Sequence, residues 1–315
     1  MELHAKANYV ASCLELAILL EVSAHKPGNV SLVTNFENTR HEHFLASAVA
    51  ARPSFMDAAS RGIAVSKGGI PVSQVEVGRI IKNCVVGINS WQHGGNTLLG
   101  AVILLCPIAV AAGMSAIMEG SFEIPKLRER VKLVVESTTP EDAVNVYEAI
   151  AIANPGGLGK VQKLDVKEPD SKARILREGI SLFEVFKLAS EYDLVCSEWV
   201  KNYPITFDFA YPHLTGQIME GKELNTTVIH TFLKVLAEYP DSFIARKVGV
   251  EKARDVSSMA SKVLQLGGLE TPKGKKSLSE FDLKLRESGN LLNPGTTADI
   301  VAAALALCVL GGFRP

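Results

Sequence analysis

The spacing of apolar residues along the chain predicts α-helices almost throughout. Near the N-terminus Val10, Leu14 and Ile18 recur at helical spacing, so they share one face of a helix. Residues 97–112 are apolar nearly all round, which indicates a helix at the centre of the fold. Helical patterns cover residues 3–20, 97–112, 139–153, 171–202 (as one long helix or two), 225–238, 249–266 and 296–310.

Patterns typical of strands are scarce. Residues 132–136 are the nearest candidate, but the run stands alone and also suits a helix. The chain shows no βαβ rhythm, no internal repeat and no composition shift that would mark a domain boundary. The basic cluster at residues 273–276 adjoins Pro272, and we expect it in a surface loop. We therefore predict a single all-α, multi-helix domain spanning residues 1–315.

Three short polar segments interrupt the apolar pattern, and each adjoins a helical run. The second and third open helices, whose first N–H groups are unpaired and carry partial positive charge. Such helix ends attract phosphate, and acids beside them can hold a divalent cation. The pattern predicts a nucleotide site, built at helix ends, for polyphosphate, metal and a second substrate. The segments are residues 21–30 (EVSAHKPGNV), 94–100 (GGNTLLG) and 293–299 (NPGTTAD).

Some polar residues in these segments have structural alternatives. Asp299 follows Thr296 at capping-box spacing, and Asn96 with Thr97 can form a plain helix cap. Glu21 is harder to explain structurally, because the C-terminal end of a helix disfavours an anion by roughly 0.3–1 kcal/mol. Its position predicts a partner cation or a metal.

Outside the three segments the candidates are weaker. Residues 154–160 resemble a phosphate-binding Walker loop but lack its first glycine, its Ser/Thr and a preceding strand. They suit a helix stop and turn, or a substrate-lining loop with Lys160 as anion contact. His41 and His43 suit a turn or helix start better than a metal site, and His93 stays open as a site residue.

The stretch of residues 240–249 pairs Asp241 with two adjacent cations, Arg246 and Lys247. It can be a solvated helix end. If both cations point inward, it can instead be a phosphate clamp.

Composition narrows the class of protein. Hydrophobic residues make up 47% of the 315 residues, which favours a soluble globular protein. The net charge of −1 argues against sequence-independent binding of nucleic acid through a strongly basic surface. The first residues lack the pattern of a secretory signal peptide. The most apolar segment of the chain, residues 97–113, contains Pro107 and is too short to span a membrane. Five scattered cysteines without a C-x-x-C pair disfavour a zinc ribbon and a disulfide framework. We expect a cytoplasmic protein. Whether it forms a homo-oligomer stays open.

Taken together, the polar segments resemble the triphosphoribosyl-dephospho-CoA synthase family, whose members make the prosthetic-group precursor of citrate lyase and malonate decarboxylase. That family has an acidic residue followed by P-K-P-G, then G-x-N-T-x-x-G, and S-P-G-G-S-A-D-L near its C-terminus. The resemblance covers most of the chain in order and spacing, with the specific matches confined to these blocks. The matching residues are Glu21 with 25–28, 94–100 and 293–300, and Asp241, Arg246 and Gly249 answer to a fourth, D-x-x-x-x-R-x-x-G-like element.

The resemblance implies a transferase that moves the triphosphoribosyl group of ATP to the ribose 2′-hydroxyl of dephospho-CoA and releases adenine. Glu21 and Asp299 would then face Mg²⁺ or the ribose, with one of them as general base. The triphosphate would be bound by Lys26, Arg246 and Lys247, together with backbone N–H groups at Asn96, Thr97, Thr296 and Thr297. Gly28 would form a close turn at the site, and Asn29 and Asn293 would bond ribose hydroxyls.

The chain departs from the family pattern in the second block. The family has histidine and lysine where this chain has Leu98 and Leu99, so one lysine that could meet phosphate is missing. Two alternatives follow: the same ATP-dependent transfer to another acceptor, such as a pterin or other coenzyme precursor, or a nucleotide-binding protein without catalysis.

Overall fold

The computed structural model describes residues 3–117, 120–159 and 163–315. Within these ranges the chain is helical and forms no strand beyond an isolated bridge between Ser31 and Thr34, as the all-α prediction requires. The α-helices are α1 (Leu3–Ser23), α2 (His41–Ser66), α3 (Val77–Trp91), α4 (Leu99–Met114), α5 (Ile124–Glu136), α6 (Pro140–Ala153), α7 (Pro169–Glu178), α8 (Leu182–Ala189), α9 (Leu194–Val200), α10 (Tyr211–Met219), α11 (Leu224–Glu238), α12 (Ser242–Val248), α13 (Val250–Gln265), α14 (Pro272–Arg286) and α15 (Gly295–Leu310).

Two apolar helices, α4 and α15, lie at the centre and pack against each other. Nearly every residue of both is buried, because neither has a polar face to turn toward water. Around them, α1 and α2 cover α4, while α10 and α11 cover α15. The central helix predicted at residues 97–112 is thus confirmed, with its first residue at Leu99.

Pro107 lies inside α4, and side chains from elsewhere repair the hydrogen bonding that it disrupts. A proline lacks the N–H that would bond to the carbonyl four residues earlier. The Trp199 indole donates to that Ile103 carbonyl at 3.1 Å, and the Tyr203 hydroxyl donates to the next carbonyl, Leu104, at 3.2 Å. The segment after α9 is thereby held against the central helix.

The predicted helix start at Thr139 is confirmed in detail. The Thr139 hydroxyl accepts from Asp142 N, and the Asp142 carboxylate accepts from Thr139 N in return. The helix α6 that follows ends at Ala153, with Asn154 in the left-handed region. The helix stop predicted for residues 154–160 is therefore present.

The stretch 171–202 contains parts of three helices, not one or two as predicted. Gly179 adopts the left-handed conformation and ends α7. Ser181 and Glu184 form a capping box that starts α8, and Asp193 caps α9. These local stop and start residues override the continuous helical periodicity.

The surface loop predicted at residues 273–276 is wrong, because these residues form the first turns of α14. The Thr271 hydroxyl caps the helix by accepting from Gly274 N at 3.0 Å, and Pro272 occupies the first turn. Residues 132–136 are helical and end α5. No helix of the described part of the chain is long and apolar enough to cross a membrane.

Candidate active site

A cavity of about 760 Å³ lies where the ends of α1, α4 and α15 meet α12. Residues from all three polar segments line it, although they are far apart in the chain. The opposite part of its wall comes from residues 154–159 and 163–166 with α8 and α9. We call the region lined by Glu21, Asn29, Asn96, Asn293 and Asp299 the polar end of the cavity.

Glu21 lies in the last turn of α1 and pairs with a buried lysine. Lys26 Nζ lies 3.0 Å from Glu21 Oε1, and both side chains are almost fully buried. The same ammonium donates to the backbone carbonyls of Glu21 and Ala24, the latter at 3.0 Å. Since these carbonyls end α1, the lysine also offsets the negative end of the helix dipole. Lys26 is the partner cation that the position of Glu21 predicts.

The surroundings of Lys26 place it behind the cavity wall. Its side chain is 1% exposed, and its ammonium contacts three oxygens of its own chain. A triphosphate contact was expected from the sequence, but the ammonium holds Glu21 in place instead. Burial raises the pKa of the Glu21 carboxyl, and the Lys26 charge works against that rise.

The glycine and asparagine that follow have different surroundings. Gly28 has a φ of +72°, its N–H donates to Asp282 at 2.7 Å, and a Cβ there would come within 2.7 Å of Leu285. It therefore serves the packing of the turn against α14 and does not line the cavity. Asn29 does line it, and its buried Nδ2 has no hydrogen-bond partner within the described chain.

The second polar segment caps the central helix. Asn96 Oδ1 accepts from Leu99 N at 3.1 Å, and the Thr97 hydroxyl bonds to the Ser47 hydroxyl at 2.7 Å. The helix-cap alternative for this segment is thus present together with its place on the cavity wall. Leu98 and Leu99 give that wall an apolar patch.

Asp299 crosses from α15 to the first turn of α4. Its Oδ1 accepts from Ala101 N at 2.9 Å, and a Cβ on Gly100 would come within 2.0 Å of Oδ2. Only glycine at position 100 admits this approach. Burial first, and then the nearby charge of Glu21, hold the pKa of the Asp299 carboxyl well above its usual range. The two acids therefore lie close enough to repel each other.

The third segment joins α15 to α12 through Asp241. One Asp241 oxygen accepts from Phe243 N and Ile244 N, and the other accepts the N–H and hydroxyl of Thr297 at 2.7 and 2.8 Å. Thr297 is fully buried and lies behind the cavity wall, so its N–H faces Asp241 instead of a substrate. Thr296 lines the cavity and accepts from the Ser242 hydroxyl at 3.1 Å.

Asn293 completes the polar end. Its buried Oδ1 has no hydrogen-bond partner within the described residues. Asn29 and Asn293 thus both line the cavity, and in each the unpaired atom is one that the protein itself buries. Amide side chains on a cavity wall suit hydroxyl groups, which both donate and accept.

Arg246 and Lys247 both line the cavity, so the two adjacent cations point inward. The Arg246 guanidinium forms an ion pair with Asp193 and leaves its buried Nε without a partner. Lys247 donates to the Asn290 carbonyl and lies 3.8 Å from the centre of the Phe243 ring. Burial lowers the pKa of Lys247 to about 8.

A divalent cation would find two carboxylates at the polar end. The described residues contain no group of three or more His, Cys, Asp or Glu side chains placed to hold a metal ion. Mg²⁺ is commonly held by one or two carboxylates together with substrate phosphates. Asp299 Oδ2 has no hydrogen-bond partner in the described chain, and a cation between the acids would relieve their repulsion. The donor set therefore fits Mg²⁺ that also binds substrate.

Several lining residues were not found from the sequence. Asp193, Tyr192 and Asn290 belong to helix ends or turns without an unusual local pattern, and the fold alone brings them to the cavity. The segment 154–159 lines it, as the loop alternative required, whereas Lys160 falls outside the described residues.

The three histidines considered in the sequence analysis, His41, His43 and His93, do not line the cavity. His41 and His43 lie in the first turn of α2, as a helix start requires, with His43 Nδ1 accepting from Arg40 N at 3.1 Å. His93 is exposed and lies away from the cavity wall.

Comparison with known proteins gives one consistent result. A family model described as CitG, ATP:dephospho-CoA triphosphoribosyl transferase, matches residues 7–314. A protein of Malonomonas rubra named "Probable 2-(5''-triphosphoribosyl)-3'-dephosphocoenzyme-A synthase" is 23% identical over 307 residues, 96% of this chain and 87% of that protein. The crystal structure of a "putative triphosphoribosyl-dephospho-coA synthase" from Archaeoglobus fulgidus superposes with a TM-score of 0.64 at 25% identity, covering 87% of this chain and all of the other.

Proposed function

The chain belongs to the ATP:dephospho-CoA triphosphoribosyl transferase family and is an enzyme of the triphosphoribosyl-dephospho-CoA synthase class, and we propose that it transfers the 5-triphosphoribosyl group of ATP to the ribose 2′-hydroxyl of dephospho-CoA. The observation that carries this proposal is the convergence of Glu21 and Asp299, from opposite ends of the chain, on one cavity that Asn29 and Asn293 also line.

The proposed reaction exchanges one bond at the anomeric carbon. The bond from C1′ of the ATP ribose to adenine N9 breaks, and a bond from C1′ to the acceptor 2′-oxygen forms. The hydroxyl proton passes to a base and the departing adenine takes up a proton, so protons balance. Positive charge develops on the ribose in the transition state, and nearby carboxylates stabilise it.

The two acids take the central roles in this proposal. Glu21, held by Lys26, and Asp299, held by Ala101 N, face the ribose or Mg²⁺. Either carboxylate can serve as the general base for the hydroxyl. Mg²⁺, when bound with the substrate, neutralises phosphate charge. Asn29 and Asn293, which both line the cavity, bond ribose hydroxyls.

The triphosphate is assigned to the cations that face the cavity. Arg246 and Lys247 supply positive charge. Thr296 lies in the first turn of α15, and the N–H groups of such a turn attract an anion. Lys26, Gly28 and Thr297 support this site from behind. Asn96 and Thr97 hold the start of α4 and contribute their backbone to the wall.

The test follows adenine release from ATP with dephospho-CoA. Glu21→Gln and Asp299→Asn should abolish release. Thermal unfolding of Asp299→Asn should stay close to that of the wild type. Glu21→Gln leaves the buried Lys26 ammonium without its carboxylate and should unfold at a lower temperature, so its activity is normalised to the folded fraction. Near-normal turnover in both variants would remove these acids from the mechanism.

A second acceptor is favoured by the apolar patch of Leu98 and Leu99, which stands where the family pattern has histidine and lysine. Offering ATP with a panel of acceptors, including pterins, distinguishes the two. Adenine release with another acceptor and none with dephospho-CoA would replace the acceptor while keeping the ATP site.

A further inference from the structure

The cavity extends beyond the polar end into a second region that the proposed roles do not use. We define the apolar arm as the region lined by Tyr147, Leu158, Val185, Phe186, Leu188 and Tyr192. We propose that the apolar arm binds the uncharged pantetheine chain that the acceptor carries beyond its pyrophosphate. This inference rests on the proposed function, because it assigns a place to one part of the proposed acceptor.

The wall of the apolar arm is built to contact an apolar ligand. Leu188 and Tyr192 are 46% and 51% exposed, although large apolar side chains are otherwise mostly buried in this fold. Both line the cavity, at the end of α8 and in the turn before α9. Exposed apolar side chains that converge on a cavity gain free energy when a ligand covers them.

The charges of the apolar arm give little attraction for phosphate. Lys247 packs beside Gly157 and is assigned to the triphosphate. The remaining charges are of both signs: Asp193 pairs with Arg246, and Asp165 and Lys163 also line this region. Because these opposite charges balance, the arm suits an uncharged part of a substrate better than the triphosphate.

Backbone groups can meet the amides of such a chain. Residues 154–159 include Gly156 and Gly159, and open space surrounds the place of a side chain at both. The bare backbone of this segment leaves N–H and carbonyl groups within reach of a ligand. An aliphatic chain with two amides therefore finds apolar walls and hydrogen-bonding partners together.

Arg246 joins the arm to the polar end. Its guanidinium pairs with Asp193 of the arm, and Arg246 lines the same cavity as Asp299 of the polar end. An acceptor with its ribose at the acids would then place its pyrophosphate between the two regions and direct the attached chain into the arm.

The test combines a double variant with a truncated acceptor. Leu188→Ser with Tyr192→Ser changes exposed side chains, so the fold should tolerate both. ADP carries the same ribose and pyrophosphate as dephospho-CoA but no pantetheine. In the variant, the KM for dephospho-CoA should rise roughly tenfold, while the values for ADP and for ATP stay within about twofold of the wild type. If ADP does not turn over, its inhibition constant against dephospho-CoA replaces its KM.

Leu283→Ser is the matched control, because Leu283 is 63% exposed on α14 and lies away from the cavity. It should change none of these constants. An unchanged KM for dephospho-CoA, or an equal loss for ADP, would overturn the inference, and a selective loss for ATP would assign the arm to the donor. If the wild type releases no adenine with any acceptor, the proposed function fails, and calorimetric binding of dephospho-CoA and ADP to both proteins still tests the arm.

Discussion

The acids at the polar end of the cavity differ from the buried acids outside it. Asp241 is fully buried, and both of its oxygens accept hydrogen bonds from the starts of α12 and α15. Glu198 is also fully buried, and its oxygens accept from Ile205 N at 2.9 Å and Thr206 N at 2.8 Å. At the polar end, by contrast, Asp299 bonds to the chain through one oxygen, and Glu21 pairs with a single group, the Lys26 ammonium.

This difference separates structural from chemical carboxylates. Where the chain supplies donors to both oxygens, the acid completes the fold and has little left for a ligand. Where an oxygen stays unpaired beside a cavity, the desolvation cost is not recovered until a substrate or cation binds. Burial alone does not identify a functional acid, because Glu21 is buried like Asp241 and Glu198.

The largest effect is expected for Asp299→Asn. The amide keeps an oxygen for Ala101 N and removes the repulsion from Glu21, so the free energy of unfolding should fall by less than about 1 kcal/mol. The kcat/KM for adenine release should fall roughly 10²–10⁴-fold. Steady-state kinetics and urea unfolding measure the two quantities. A large loss of stability with normal activity would place Asp299 with the structural acids.

We expect the free energy of unfolding to depend on pH through Glu198, by about 3 kcal/mol, because burial raises the pKa of its carboxyl from 4.5 to about 7. Between these values the folded protein keeps a proton that the unfolded chain has released. Stability from this group is therefore complete below pH 4.5 and is lost as the pH rises through 7.

Urea unfolding at pH 5 and pH 8 measures this contribution. Glu198→Gln cannot titrate, so its stability should change less than that of the wild type between the two pH values. Equal changes in both proteins would contradict the assignment.

For Asp241→Asn the expected loss is about 2 kcal/mol of unfolding free energy. An amide nitrogen in place of either oxygen faces N–H donors, from Phe243 and Ile244 on one side or Thr297 on the other. The activity per folded molecule should fall far less than in Asp299→Asn. Activity normalised to the folded fraction provides the check, and the opposite order of effects would end the distinction between the two regions.

The smallest effect concerns the cations. Arg246→Gln should raise the KM for ATP roughly tenfold, since a charge-assisted contact in a sheltered site contributes on the order of 1.5–3 kcal/mol. Arg254→Gln is the matched control: its pair with Glu251 is exposed at 62% and 84%, and it should leave both KM and stability nearly unchanged. Equal KM values for the two variants would remove Arg246 from the ATP site.

Local features of the fold could be predicted from the sequence. The central helix, the capping box at Thr139 and the closing helix follow from periodicity and caps, which depend on residues within a few positions of each other. The errors are also local: Gly179 and Ser181 interrupt a stretch whose periodicity predicts continuous helix, and Thr271 caps a helix where a surface loop is predicted.

Much of the polar end could also be predicted from the sequence. Glu21, Asn96 and Asp299 stand out there because they are polar residues at the ends of apolar helices. The same reasoning assigned Lys26, Gly28 and Thr297 to the substrate, because neighbouring residues in a motif cannot be sorted by which side of a wall they occupy. Lys26 turns back to the end of α1, and Thr297 turns to Asp241.

By itself, the sequence therefore determined the helical class, the central apolar helix and the identity of the polar helix ends. The tertiary structure alone decided which of these residues face the cavity, that Lys26 neutralises Glu21, and that an apolar arm with Leu188 and Tyr192 continues the site. The physical reason is that helix formation and capping depend on short-range contacts, whereas the direction of a side chain depends on neighbours that are distant in the chain.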